Sequence, residues 1–178
     1  MKTWQRHGGG MDRTRRVRKT ENKAYYHSPI GTIEIVGTER GLCRLTFVRE
    51  RARRPAAVTS GLKECVAQLD EYFGGKRRKF SVNLHLQGTR FQKRVWQALL
   101  KIPSGRTASY REVAKAVGNS KAVRAVGNAN RANPVAIIIP CHRVIGSDGS
   151  LVGYGSGLWR KRWLLAHEQK YARRRPRD

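Results

Sequence analysis

Residues 109–129 read SYREVAKAVGNSKAVRAVGNA, and this stretch decides the fold of the C-terminal half of the chain. Ser109 and Glu112 have the spacing of a capping box, which predicts a helix that begins here and ends at Gly118. A Gly-Asn-Ser turn follows, and a second helix is expected from Lys121 onward. Two short helices joined in this way form a candidate helix-turn-helix, with the second helix in the recognition position.

The residues on either side of this stretch extend the helical pattern. Thr89 and Gln92 form another capping-box signature, which predicts a helix that continues to Pro103. Residues 135–139 (VAIII) are apolar and mostly β-branched, so we expect a buried strand there. We therefore predict a mainly helical domain over residues 88–168.

The N-terminal half has a different pattern. Residues 30–36 and 42–48 alternate partly with period two around a polar turn, which predicts a β-hairpin. Apolar residues at helical spacing predict a helix over 61–73, and strict alternation predicts a strand over 79–86. These elements favour an α/β (α+β) domain with a small sheet over residues 25–87.

Composition points to a polyanionic partner. The 178 residues include 38 Lys and Arg against 12 Asp and Glu, a formal net charge of +26, and 39% are hydrophobic. We expect residues 1–24 and 169–178 to be disordered basic arms, although most of the charge lies between them. No apolar run is long enough to span a membrane, the start lacks a secretory signal, and three cysteines make no disulfide framework. The sequence therefore favours an intracellular, reduced protein that binds nucleic acid.

The second helix of the candidate helix-turn-helix has the residues that DNA contact needs. Small residues permit a close backbone approach, and basic side chains meet phosphates or enter a groove. The alternative is a tightly packed interior helix with solvated basic ends. The candidate DNA-binding residues are Ser120, Lys121, Arg124, Ala125 and Arg131.

A reactive cysteine follows the apolar run. Cys141 stands after a proline and before His142 and Arg143, and cationic neighbours are expected to lower its pKa towards that of a nucleophilic thiolate. A histidine that acts as a base usually needs an orienting carboxylate, for which Glu168 is the best candidate and Glu112 the next. No CxxC pair or HxxxH pair accompanies the cysteine, so we expect no metal.

The motif around Cys141 resembles the active-site signature of a known family. Residues 139–144 (IPCHRV) are similar to that of the O6-alkylguanine-DNA alkyltransferases, also called methylated-DNA–protein-cysteine methyltransferases. The resemblance covers residues 88–168 densely, and residues 25–87 are compatible with the family's ribonuclease-H-like N-terminal domain. Further matching segments lie in the same order at Ser109-Tyr110, 124–127, Asn133-Pro134, 153–158 and 163–168.

The resemblance implies direct reversal of DNA damage. A member of this family transfers the alkyl group from O6-alkylguanine, and also from O4-alkylthymine, to its cysteine after base flipping. The S-alkyl cysteine that forms is a thioether, which water does not cleave at a useful rate. Each protein molecule therefore reacts once. The implied partner is double-stranded DNA that contains alkylated guanine, with no cofactor and no membrane. A monomer in solution is expected, and cooperative binding along DNA stays open.

The resemblance also implies catalytic roles. Cys141 would be the nucleophile, and His142 and Glu168 with a water would form the proton relay that generates the thiolate. Asn133 would brace the turn before the cysteine, and Tyr110 would donate a phenol proton towards the leaving guanine.

A second implied set binds the flipped base. The carbonyl groups of Cys141 and Val144 would accept from the guanine amino group, and a backbone N–H between Tyr154 and Gly155 would donate to O6. The chain departs from the family pattern here, because many members have Ser where Gly155 stands and Ser156 follows instead.

Arg124 corresponds to the family's finger residue, which takes the place of the flipped base from the minor groove. Three other functions remain open on the residues alone. A non-catalytic lesion-binding module would have another residue at position 141, and a cysteine hydrolase would turn over repeatedly. A plain transcription regulator would leave the PCHR segment unexplained.

Overall fold

The structure is a computed structural model that describes residues 21–49 and 60–172. Its N-terminal part is an antiparallel sheet in the order β1-β2-β3. The strands are β1 (Asn22–Ser28), β2 (Gly31–Thr38) and β3 (Gly41–Phe47). The predicted hairpin is confirmed as β2 and β3, whose turn ends at Gly41 with a φ of 128° that favours glycine.

Strand β1 corrects one predicted boundary. It begins at Asn22, within the segment predicted to be a disordered arm, because Ala24 is buried against the sheet partner Ile35. The sheet therefore includes residues 22–24. Residues 1–20 of the predicted arm lie outside the described residues.

Helix α1 (Ser60–Phe73) packs on β1 and β2, as its apolar spacing predicted. The predicted strand over 79–86 is wrong, because this segment makes only one isolated bridge, between Leu84 and Leu42. Its alternate apolar side chains still pack against the core. The period-two pattern therefore predicted correctly which side chains are buried, but it did not indicate whether the segment forms the hydrogen bonds of a strand.

The C-terminal part is mainly helical, which confirms the predicted fold class. Both predicted capping boxes are present, at Thr89 with Gln92 and at Ser109 with Glu112. Its regular elements are α2 (Arg90–Leu99), β4 (Ala108–Ser109), α3 (Tyr110–Ala116), α4 (Val123–Arg131), β5 (Val144–Ile145) and α5 (Leu158–Ala172).

Helix α4 begins later than expected. Asn119 and Ser120 do not start it, because its N-cap is Ala122, which makes no side-chain capping bond. The Asn119 side chain instead accepts from the backbone N–H of Lys121 at 3.2 Å. Helices α3 and α4 pack against each other across this turn, and the helix-turn-helix remains a prediction.

The apolar run 135–139 is buried but is not a strand. It folds into turns, with one bridge from Val135 to Leu45 and a left-handed φ of 69° at Ile137. A β-branched residue rarely adopts this conformation, and its surroundings must hold it there. The prediction was wrong because burial and β-branching are shared by strands and buried turns.

Helix α5 continues to Ala172, so residues 169–172 of the predicted basic tail are helical, and residues 173–178 lie outside the described ones. The sheet, α1 and the C-terminal helices share one hydrophobic core. Among the described residues no helix is both long and apolar enough to cross a membrane.

Candidate active site

Cys141 begins a single 3-10 turn, Cys141–Arg143, directly after the buried turns. Asn133 ties these turns together, because its Nδ2 donates to the carbonyl of Ile139 at 2.8 Å and its Oδ1 accepts from the N–H of Val135 at 3.0 Å. The thiol therefore lies on a backbone whose path is set by the half-buried Asn133 and by the apolar side chains around it.

The Cys141 thiol is buried, with a residue exposure of 6%. Burial raises its pKa, and hydrogen bonding by Asn133 and the positive charge of Lys161 oppose that rise without cancelling it. The expectation that cationic sequence neighbours lower this pKa is therefore wrong. The guanidinium of Arg143 donates to Glu168 and not to the sulfur. A thiol in these surroundings needs a base to become a thiolate.

That base is available in His142, which is fully buried. Its Nε2 lies 2.9 Å from Oε1 of Glu168. A carboxylate can only accept, so Nε2 carries the proton and Nδ1 is left with a free lone pair. No group of the described residues bonds to Nδ1. Burial lowers the pKa of His142 while Glu168 raises it, and the net lowering keeps the imidazole neutral at pH 7.

Glu168 connects several parts of the chain. Its Oε1 also accepts from Tyr72 Oη and Arg143 Nη2, both at 2.9 Å. Its Oε2 accepts from Arg143 Nε at 2.9 Å and from the N–H of Gly105 at 3.1 Å. Burial alone would raise the pKa of Glu168, but the bonds and charges of His142 and Arg143 lower it below the usual range, so the carboxylate is ionised.

Glu112, the other carboxylate considered, is part of the capping box of α3 and bonds to Ser109. Of the two candidates, the structure therefore brings only Glu168 to the histidine.

Residues 146–157 form a loop over the cysteine, and two cations of α5 hold it. Lys161 is completely buried, and its Nζ donates at 2.6 Å to the carbonyls of Val144 and Val152. Burial lowers the pKa of Lys161 to about 8, while the nearby Cys141 raises it. This cation therefore ties the start of β5, directly after the 3-10 turn, to the loop.

Arg160 holds the same loop from outside. Its Nη1 donates to the carbonyl of Ser156 at 2.7 Å, and its Nε donates to the carbonyl of Ile30 at 2.8 Å, in the turn between β1 and β2. The guanidinium also lies over the rings of Phe47 and Trp159, at 4.8 and 4.3 Å from their centroids. The N-terminal sheet thereby contributes to the position of the loop.

A cavity of about 50 Å³ adjoins Cys141 between this loop and α4. A space of this kind can hold a small group next to the sulfur. Tyr154, Gly155, Ser156 and Asn130 are among its lining residues.

Two buried polar atoms near the cavity have no partner among the described residues. They are the hydroxyl of Tyr154 and Oδ1 of Asn130. Nδ2 of Asn130 donates to the carbonyl of Cys141 at 3.4 Å. Buried polar atoms that lack partners are found where a ligand supplies the missing bond.

Tyr110 lies at the start of α3, and the short parallel pair of β4 and β5 brings it beside the loop. Its hydroxyl is 3.4 Å from the carbonyl of Val152 and 3.5 Å from that of Gly153. Burial raises its pKa, so the phenol is protonated and able to donate. Bonds of this length are easily exchanged for a stronger acceptor.

The predicted DNA-contact residues all lie on an open surface. Each of them is exposed, and together they follow the turn before α4 and the outer side of that helix: Ser120, Lys121, Arg124, Ala125 and Arg131. Among the described residues, no group of three or more His, Cys, Asp or Glu side chains could hold a metal ion.

Sequence reasoning missed three side chains of this site, Lys161, Tyr72 and Asn130. A buried lysine in a helix that also contains the exposed Arg162 and Lys170 has no distinguishing sequence signal. Tyr72 is one of the residues at helical spacing that predict α1, and this pattern does not indicate a bond to a distant carboxylate. Asn130 stands in the helix whose small and basic residues predict DNA contact, and nothing in that pattern indicates a site beside Cys141.

Comparison with known proteins gives two family-model matches. Residues 22–86 match the ribonuclease-like domain of 6-O-methylguanine DNA methyltransferase, and residues 90–170 match the DNA binding domain of the same family.

Two relatives named methylated-DNA--protein-cysteine methyltransferase are 50% identical to this chain. The protein from Methanosarcina barkeri aligns over 151 residues, 82% of this chain and 96% of its own length. The protein from Mycobacterium leprae aligns over 147 residues, 80% of this chain and 88% of its own length.

Solved structures give the same result. The crystal structure of Mycobacterium tuberculosis O6-methylguanine methyltransferase has a TM-score of 0.78 and 43% identity, and covers 89% of this chain and 97% of that one. A structure of the M. tuberculosis OGT in complex with DNA has a TM-score of 0.76 and 46% identity, over 84% and 93% of the two chains.

Proposed function

The chain belongs to the 6-O-methylguanine DNA methyltransferase family, and from this premise we propose that Cys141 is the residue that receives the alkyl group. The protein repairs DNA by alkyl transfer to a cysteine, and it has three cysteines to choose from. Burial raises the pKa of Cys65 to about 12, and Cys43 lies in β3. Within residues 21–49 and 60–172, only Cys141 adjoins a histidine whose second nitrogen is free to accept a proton, and this observation carries the assignment.

The proposed reaction is an in-line displacement. The Cys141 proton passes through a water to Nδ1 of His142, whose imidazolium form is stabilised by Glu168. The sulfur then forms a bond to the alkyl carbon while the bond from that carbon to O6 of guanine breaks. The bonding electrons go to the guanine ring, where Tyr110 supplies a proton or a hydrogen bond. The product is a thioether, which water does not reverse, so each molecule reacts once.

Backbone groups of the site provide recognition of the base. The carbonyl of Val144 accepts from Lys161, and a guanine amino group would share this oxygen. The carbonyl of Cys141 accepts from Asn130 at 3.4 Å and from the N–H of Val144, so the guanine amino group would replace the long bond from Asn130 there. A backbone N–H of the Tyr154-Gly155 segment would donate to O6 of the guanine. O4-alkylthymine presents an alkyl ether in a similar position, and we propose it as a second substrate.

The exposed residues of α4 and its preceding turn form the proposed DNA interface. Arg124 would enter the duplex from the minor groove and fill the space that the flipped base leaves. The net charge of +26 adds a salt-dependent attraction to phosphates that does not depend on sequence. We propose a monomer as the active form, because the bonds from His142 to Glu168 and from Glu168 to Arg143 form within one chain and need no second subunit.

Labelled methyl transfer tests this function. The protein is incubated with duplex DNA that contains one O6-methylguanine carrying a labelled methyl group, and the modified peptide is identified by mass. The expected result is one methyl group per protein molecule, on the peptide that contains Cys141. A Cys65→Ala variant is the control and should transfer like the parent. An unmodified Cys141 peptide at complete lesion binding, or repeated turnover, would contradict the proposal.

A further inference from the structure

The side chain of Tyr72 reaches the proton relay from the other half of the chain. Its hydroxyl donates to Oε1 of Glu168 at 2.9 Å, although the two residues are 96 positions apart. Both are almost completely buried, with exposures of 1% and 2%. None of the steps proposed above uses this hydroxyl.

The bond from Tyr72 falls on a crowded oxygen. Oε1 of Glu168 accepts from the Tyr72 hydroxyl, His142 Nε2 and Arg143 Nη2, all at 2.9 Å. A carboxylate oxygen has about two lone-pair sites, so three donors share its charge. Each donor that draws on this charge leaves a weaker acceptor for the other two.

His142 is sensitive to how strongly Oε1 accepts. Burial lowers the pKa of His142, and the positive charges of Arg143 and Lys161 lower it further. The bond and charge of Glu168 act in the opposite direction. These groups and the Cys141 thiol are the titratable neighbours of the imidazole, so its protonation depends on the balance between them.

We propose that Tyr72 is a positioning residue for alkyl transfer, whose hydroxyl orients the Glu168 carboxylate and shares its charge so that His142 stays neutral and able to accept the Cys141 proton. This inference rests on the proposed function. It also gives the N-terminal part of the chain a direct place in the chemistry, because Tyr72 belongs to α1.

The ring of Tyr72 is held independently of its hydroxyl. It contacts the rings of Phe73, Phe80 and His167, with centroid distances of 5.3, 5.4 and 5.3 Å. The Tyr72 carbonyl also lies 2.8 Å from Nε2 of His167. Replacement by phenylalanine therefore removes the bond to Glu168 while these ring contacts remain.

The test is the pH dependence of single-turnover methyl transfer by the full chain from duplex DNA that contains O6-methylguanine. In Tyr72→Phe, Oε1 becomes a stronger acceptor for His142, whose imidazolium form then persists to higher pH. The acidic limb of the rate profile is expected to move up by about half to one pH unit, which is a loss of about three- to tenfold below that limb. The loss should shrink towards pH 8.

Tyr26→Phe is the matched control. The Tyr26 hydroxyl donates to Asp70 at 2.9 Å, and its ring stacks on Phe73 at 5.8 Å, so it belongs to the same aromatic group without touching the relay. Its rate profile should superimpose on that of the parent chain.

The outcomes separate the two proposals. If the parent chain transfers no methyl group to Cys141, the proposed function fails. If the parent transfers and the Tyr72→Phe profile superimposes on it, this inference is overturned, even where the melting temperature falls. If Tyr72→Phe does not fold, 3,5-difluorotyrosine at position 72 replaces it. That stronger donor should move the acidic limb to lower pH, and an unmoved limb refutes the inference.

Discussion

Replacement of Glu168 by glutamine should strongly destabilise the fold. The carboxylate accepts two bonds from Arg143, and the exposures of the two residues are 2% and 6%. Glutamine removes the negative charge and turns an NH2 group towards donors, so a buried guanidinium is left without its counter-charge. Removal of one partner of a buried ion pair costs about 3–5 kcal/mol.

The corresponding loss in melting temperature is large. A chain of this size loses roughly 2–4 °C per kcal/mol, so the expected decrease is about 6–20 °C. Thermal unfolding followed by circular dichroism measures it, with Glu112→Gln as the control, because Glu112 is an exposed capping residue. A Glu168→Gln chain that melts within about 2 °C of the parent would refute the interpretation of this carboxylate as the centre of a buried network.

The same variant has a pH signature. The folded state lowers the pKa of Glu168 below its unfolded value. The resulting stabilisation is fully present above the unfolded pKa, and it is lost as the pH falls towards the folded one. The parent should therefore lose more stability than Glu168→Gln does as the pH is lowered from 5. Methyl transfer by the variant should also slow by about 100-fold or more, since the relay base loses its partner.

Three further outcomes are expected. Cys141→Ala should abolish methyl transfer and leave DNA affinity nearly unchanged in a titration with lesion-containing duplex; a large loss of affinity would place the site elsewhere. Arg124→Ala should slow repair of duplex DNA far more than the reaction with a free O6-substituted guanine base, and equal slowing of both would contradict the finger role. Because burial lowers the pKa of Lys161 to about 8, the unfolded state binds more protons above that pH. The parent should therefore gain stability relative to Lys161→Met between about pH 8 and 10.5 in urea unfolding, and an unchanged difference would contradict the buried charge.

Local signals predicted the helices well. The capping boxes at Ser109 and Thr89 each involve a side chain and a backbone group three residues apart, so the sequence contains everything that the contact needs. The motif of residues 139–144 likewise marked the cysteine, because its chemistry depends on adjacent residues. Glu168 could be named as the carboxylate beside His142 because few acidic residues compete with it.

Contacts between distant segments were not predictable in this way. The apolar run 135–139 has the composition of a strand, but Asn133 and the buried surroundings of Ile137 fold it into turns. The bond from Tyr72 to Glu168 joins the two halves of the chain, and nothing near either residue indicates it. The contact of Lys161 with the carbonyl of Val152 was equally unpredictable. A lysine is expected at the surface unless its buried partners are known.

The low exposure and raised pKa of the Cys141 sulfur have a consequence for the lifetime of the unreacted protein. A reagent that is spent in one reaction is wasted whenever a cellular oxidant or a stray electrophile reaches it first. Oxidation and alkylation both proceed through the thiolate, so a buried thiol that stays protonated is inactivated slowly by these reactions. The burial of Cys141 thus also preserves the sulfur until the protein meets damaged DNA.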